Sequence, residues 1–98
     1  MTIIALIKSN EEQRTIASVE ECVVVDSGAQ AIYVTFTFPE LRKVEKVLQV
    51  EVETDPETMA HLELPQDKTY LNNTVGMTLT CDPTAGTTLC MDCTVIGF

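Results

Sequence analysis

The stretch Ile32-Tyr33-Val34-Thr35-Phe36-Thr37-Phe38 alternates without a slip, with large apolar side chains at the even positions and Tyr or Thr between them. A period of two is what a half-buried β-strand needs, because successive side chains leave opposite faces of the pleat. The rhythm returns at Leu48-Gln49-Val50-Glu51-Val52-Glu53 and at Val75-Gly76-Met77-Thr78-Leu79-Thr80-Cys81. The chain spends its information on building sheets, and little of it on reactive groups.

Turn signals divide these strands. Asp26-Ser27-Gly28 is a turn signal whose Gly can take positive φ, Asn72-Asn73 turns the chain, and Asp55-Pro56-Glu57 closes the strand before it. Pro39 ends the strand Gln30–Phe38, since it cannot donate to a ladder. Residues 15–25 read as one or two strands, with Cys22, Val23, Val24 and Val25 the most buried part. A short edge strand is expected around Met59–Leu64, followed by a loop at residues 65–68, and Ser9 to Gln13 reads as a polar turn. Residues 74–81 and 88–96 are expected to pair as a hairpin. Leu41, Val44, Val47 and Leu48 fall at helical spacing after Pro39. They predict either a short helical turn near 39–46 or an irregular crossover between sheets. The expected fold is all-β, one domain over residues 1–98. It is an antiparallel β-sandwich of six to seven strands, immunoglobulin-like or jelly-roll-like. Ile3 to Ile7 is apolar on both faces, so residues 1–8 read as an edge strand or an inserting arm.

A formal net charge of −9 repels phosphate backbones and anionic bilayers, so neither nucleic acid nor membrane is an expected partner. A basic protein partner, or mimicry of nucleic acid, fits that charge. Ile3–Ile7 is too short for a signal peptide or a membrane span. The chain is therefore expected to be made in a reducing cytoplasm, with Cys22, Cys81, Cys90 and Cys93 as thiols acting as small hydrophobes.

Cys81 and Cys90-Met91-Asp92-Cys93, with Cys22 as a fourth ligand, invite a zinc reading. Alternation through Thr88–Ile96 argues against it. Leu89, Met91, Cys93 and Val95 share one face, and Cys90 points the other way. Two sulfurs on opposite sides of a sheet cannot chelate one ion. Glu51, Glu53, Asp55 and Glu57 are spaced by two and suggest a calcium site, but no Asp-x-Asp-x-Asp-Gly loop accompanies them, and a solvated outer face explains them. His61 stands alone, and no phosphate loop, nucleophile elbow or metal-binding histidine pair is present. No cofactor, metal or enzymatic activity is expected. Ile3, Ile4, Leu6 and Ile7, with Ile96 and Phe98 at the end of a solvent-facing row, are the expected contacts with a partner or else a cover for the domain's own open edge.

From about Gln30 to Phe98 the order of features resembles small β-sandwich structural proteins of tailed-phage particles, of the capsid decoration or cement type. The matching stretches are residues 33–41, 47–53 and 73–80, then Ala85-Gly86-Thr87-Thr88 and Val95-Ile96-Gly97-Phe98. The resemblance implies a non-enzymatic virion subunit, assembled in the host cytoplasm and repeated on a particle's exterior. It would bind the major capsid protein or other virion subunits by shape complementarity and reinforce the assembled shell, as a homo-oligomer. The alternative expectation is an acidic cytoplasmic regulator or adaptor, stabilised by zinc or mimicking nucleic acid.

Overall fold

A computed structural model describes residues 1–8, 13–64 and 67–98. The expected polar turn at 9–13 and the loop at 65–68 fall mainly outside the described residues. Seven strands form: β1 (Thr2–Lys8), β2 (Gln13–Val25), β3 (Gln30–Thr37), β4 (Val44–Glu53), β5 (Thr69–Leu71), β6 (Thr74–Cys81) and β7 (Thr87–Gly97). One short helix, α1 (Pro56–Ala60), lies between β4 and β5. The strands make two antiparallel sheets, ordered β1-β2-β7-β4 and β3-β6-β5. The all-β sandwich expected from alternation is therefore present.

The pairing is nested: β2 with β7 in one sheet and β3 with β6 in the other. An immunoglobulin sheet places its fifth strand between the second and the fourth, but here β7 takes that position. The order is that of a short jelly roll, wound from six strands with β1 added at one edge. The expected hairpin between residues 74–81 and 88–96 does not form, because β6 and β7 belong to opposite sheets. The segment between them crosses the sandwich, anchored where the Gly28 N–H donates to the Pro83 carbonyl at 2.8 Å. Gly28 takes φ 101°, and Asn72 takes φ 53° in the β5–β6 turn, so both predicted turns use the left-handed region.

Alternation builds the core directly. Val34 and Phe36 of β3 face Val75, Met77 and Leu79 of β6, and across the gap lie Leu89, Met91, Cys93 and Val95 of β7, all buried. Phe38, Leu41 and Val44 plug the end of the sandwich between β3 and β4. Residues 39–46 make no helix. Leu41 N–H donates to the Phe38 carbonyl at 3.0 Å, closing one turn, and the chain then crosses to the other sheet. Helical spacing there records two core-directed side chains, Leu41 and Val44, in an irregular crossover.

The helix forms instead at α1, where an edge strand had been expected to begin. Asp55 caps it, accepting from the Thr58 N–H and hydroxyl at 2.9 Å each, and from the Thr87 hydroxyl at 2.8 Å. Pro56 occupies the first turn, where its missing N–H costs nothing. The backbone N–H of Thr58, then the two hydroxyls, hold the Asp55 carboxyl at a pKa of about 2. That value lies below the ordinary carboxylate range, so the cap's contribution is complete above about pH 4 and is lost as pH falls towards 2. Acid titration of folding stability is expected to show a shallower slope between about pH 4 and 2 in Asp55→Asn than in the wild type. An identical slope would mean that the cap does not carry the shift.

Candidate functional site

β1 forms one end of the four-stranded sheet and, among the described residues, pairs only on its β2 side. Side chains on both its faces are exposed, Leu6 on the inner side among them, so the three-stranded sheet does not cover it. Ile3 is 40% exposed, Ile4 55%, Leu6 62% and Ile7 44%. A register shift between Ile3 and Ala5 puts a bulge at Ile4. Ile3 and Leu6 lie opposite Ala17 and Thr15 on the inner side, while Ala5 and Ile7 lie opposite Ile16 and Arg14 on the outer side.

The expected contact residues gather at this end of the sheet. Ile96 pairs with Ile16, which pairs with Ala5, giving a continuous outer apolar row across three strands. Phe98 lies beneath the Arg14 guanidinium, 5.1 Å from its ring centroid, and Arg14 also pairs with Glu45 at 2.7 Å. Lys43 and Phe98 exchange backbone hydrogen bonds. Ile96 and Phe98 are therefore half-buried in their own sheet, whereas the β1 residues are exposed.

The two edges of this sheet are built differently. β4 has two register irregularities and carries Glu45, Lys46, Glu51 and Glu53, the devices that blunt an edge against pairing. β1 has one bulge and four exposed aliphatic side chains. Its free edge suits pairing with another strand.

The cysteines divide into two pairs. Cys81 and Cys93 are buried free thiols on the inner faces, as expected. Burial, then Asp92, pushes the Cys93 thiol up to about 11, and burial with Asp82 raises Cys81 as well, against the needs of a nucleophile. Cys22 and Cys90 overturn the expectation of four thiols, because they form a disulfide between directly opposed positions of β2 and β7, Cα–Cα 4.0 Å. Cys22 is exposed, not part of a buried run. The strand alternates through it, and Val24 is 82% exposed while Val25 is buried. The opposite orientation of Cys90 and Cys93 stands, so the zinc set read from Cys81, Cys90 and Cys93 does not come together. A thiol-reactive maleimide should label no cysteine in the native oxidised protein, two after reduction under native conditions, and four after reduction and unfolding. Labelling of Cys81 or Cys93 before unfolding would contradict their burial.

Around the bridge the outer face is acidic. Glu20, Asp92 and Glu51 stand directly opposite one another on β2, β7 and β4, and the next row holds Cys22, Cys90 and Glu53. Glu51, Glu53, Cys90, Glu20 and Asp92 line a cavity of about 340 Å³ with Val52. The line Glu51-Glu53-Asp55-Glu57 read as a calcium candidate breaks at Asp55, which turns away to cap α1. The signal that locates the outer cluster is Glu20-x-Cys22 and Cys90-x-Asp92, two outward-facing pairs at strand spacing, 68 residues apart across the bridge. His61 ends α1 beside a depression of about 730 Å³ lined with Glu63, Thr80, Cys81 and Asp82. It is exposed, and the thiol of Cys81 in the same lining is buried.

No family model matches the chain, and no curated protein and no solved structure matches it. The fold and its exposed edge define a two-layer antiparallel β protein with an apolar edge strand, β1, paired to β2 on one side. Among the described residues, no helix is long and apolar enough to cross a membrane.

Proposed function

We propose that this chain is a non-enzymatic structural subunit that joins an assembly through β1, and that the assembly is a capsid-type shell which it decorates and reinforces. The observation that supports this reading is the overhanging β1, with Ile3, Ile4, Leu6 and Ile7 exposed on a free edge. Edge pairing supplies main-chain hydrogen bonds, and the exposed aliphatic side chains supply the burial. Binding only to the assembled shell stabilises it by mass action. The net charge of −9 keeps the exterior of crowded particles soluble and mutually repelling.

Two further features favour a particle exterior. Disulfides persist on virion and cell surfaces, and the Cys22–Cys90 bridge lies on an outer face. The nested strand order is one that viral capsid proteins use.

Leu6→Asp places a charge in the middle of the proposed contact. Sedimentation velocity of the free protein and co-sedimentation with assembled shells are expected to show association weakened at least about tenfold. The thermal midpoint should stay within a few degrees, because Leu6 is mostly solvated in the isolated chain. Deleting residues 1–8 should have the same effect on binding. Undiminished association in both variants would remove β1 from the proposal.

A further inference from the structure

The acidic outer face has a feature that the disulfide does not explain. Glu20, Asp92 and Glu51 occupy one cross-strand row, and like charges directly opposite one another destabilise a sheet. Glu53 continues the charge beside Cys90. A disulfide is neutral and offers these carboxylates nothing, and Glu20 nevertheless approaches the Cys22 sulfur to 3.9 Å. A cation at that spot would offset the repulsion.

We propose that Cys22 and Cys90, once reduced, form with Glu20 a site for a thiophilic divalent cation of the zinc class. Disulfide and metal-bound forms are then mutually exclusive states of one pair. In the oxidised form the bonded Sγ atoms of Cys22 and Cys90 and a carboxylate oxygen of Glu20 all lie within 4.8 Å of one another. A tetrahedral zinc ion with Zn–S of about 2.3 Å needs its sulfurs about 3.8 Å apart. The bridged pair has Cα atoms 4.0 Å apart, and a disulfide holds its Cβ atoms about 3.8 Å apart, so χ1 rotations after reduction open the two sulfurs to the spacing zinc needs. Asp92, on the same face and next to Cys90 along β7, or a water molecule, completes four ligands. The two sulfurs select zinc or cadmium over calcium or magnesium, which take all-oxygen shells.

The chemistry balances in two steps. A dithiol reductant breaks the S–S bond by exchange, giving its two electrons and two protons and becoming a disulfide; a phosphine does so with one water, which supplies the oxygen of the phosphine oxide and the two thiol protons. The cation then displaces the two thiol protons to solvent and forms two metal–sulfur bonds. A small-molecule disulfide that exchanges with the thiolates accepts the two electrons, leaves as two thiols, releases the ion and restores the bridge. The site needs no assembly, so it stands or falls separately from the role proposed for β1.

The test uses the full chain, reduced with a phosphine, desalted without oxygen, and titrated with zinc chloride in competition with a chromogenic chelator. Roughly one equivalent should bind to the reduced protein, and the oxidised protein should bind far more weakly. Cadmium should give the ultraviolet charge-transfer band of thiolate ligation in the reduced protein alone. Cys22→Ser should weaken zinc binding by about a hundredfold and Glu20→Gln by about tenfold, whereas Cys93→Ala should leave it unchanged. Thermal unfolding by circular dichroism covers the case in which reduction loosens the fold, because zinc should then raise the midpoint or restore strand signal. Equal binding by oxidised and reduced protein, or by Cys22→Ser, would overturn the proposal. So would a reduced chain that takes up no zinc and gains no thermal stability from it.

Discussion

Breaking the Cys22–Cys90 bridge in metal-free buffer is expected to lower the unfolding free energy by about 4 kcal/mol. The midpoint of thermal unfolding should fall by roughly 15–30 °C. The bridge joins residues 68 apart, so the closed loop holds β3, β4, α1, β5, β6 and the start of β7. A loop of that length removes much of the denatured chain's freedom, which is the chief source of the stabilisation in the chain-entropy account. Against the ordinary stability of a small domain, about 5–15 kcal/mol, such a loss is a large share of the whole. The double variant Cys22→Ser/Cys90→Ser isolates the effect from reagents, and serine is harmless there because Cys22 is exposed and Cys90 half-buried on the outer face. Urea or thermal unfolding of oxidised wild type against this variant is the measurement. A difference below about 1 kcal/mol would mean that the bridge does not constrain the unfolded chain as its loop length requires.

The layers of this fold were legible because alternation is a local property. Each residue of β3, β6 and β7 declares its face through its neighbours at ±1 and ±2, and burial follows that declaration from Val34 to Phe38 and from Leu89 to Gly97. Pairing was less legible because it depends on partners distant in sequence. β6 and β7 are consecutive and joined by a short polar turn, the usual mark of a hairpin, yet Pro83 is buried in a crossover between sheets. The run Cys22-Val23-Val24-Val25 reads as uniformly buried because hydrophobicity masks its alternation; Val24 faces solvent and Cys22 meets Cys90. At Asp55-Pro56-Glu57-Thr58 the same residues that close a strand also cap a helix, and the buried Thr58 supplies two of the three donors to Asp55. The β1 contact residues were legible as an apolar run, but their overhang beyond the second sheet is set by β2, β7 and β4, far along the chain.

Phe36→Ala should cost about 3–5 kcal/mol, while Thr35→Ala, one residue away, should change stability by less than about 0.5 kcal/mol. Phe36 is fully buried, and it is one of three phenylalanines in a chain without tryptophan. Its ring fills space between the sheets that Val75, Leu89 and Val95 are too short to reclaim, and backbone hydrogen bonding within each sheet limits how far the layers can close on the cavity. Thr35 points out of the same strand opposite Gly76, where its loss exposes little new surface. Urea unfolding of the two variants, with the dependence on denaturant unchanged, tests the facing of β3 directly. A slip of β3 by one residue would exchange the two results, because every side chain would change face at once. The same logic reaches the outer surface: the facing that buries Phe36 in one sheet puts Cys22, Cys90 and their carboxylates on the solvent side of the other. The contrast between two adjacent positions in an edge strand is thus a test of the facing of β3 against the core it shares with β7.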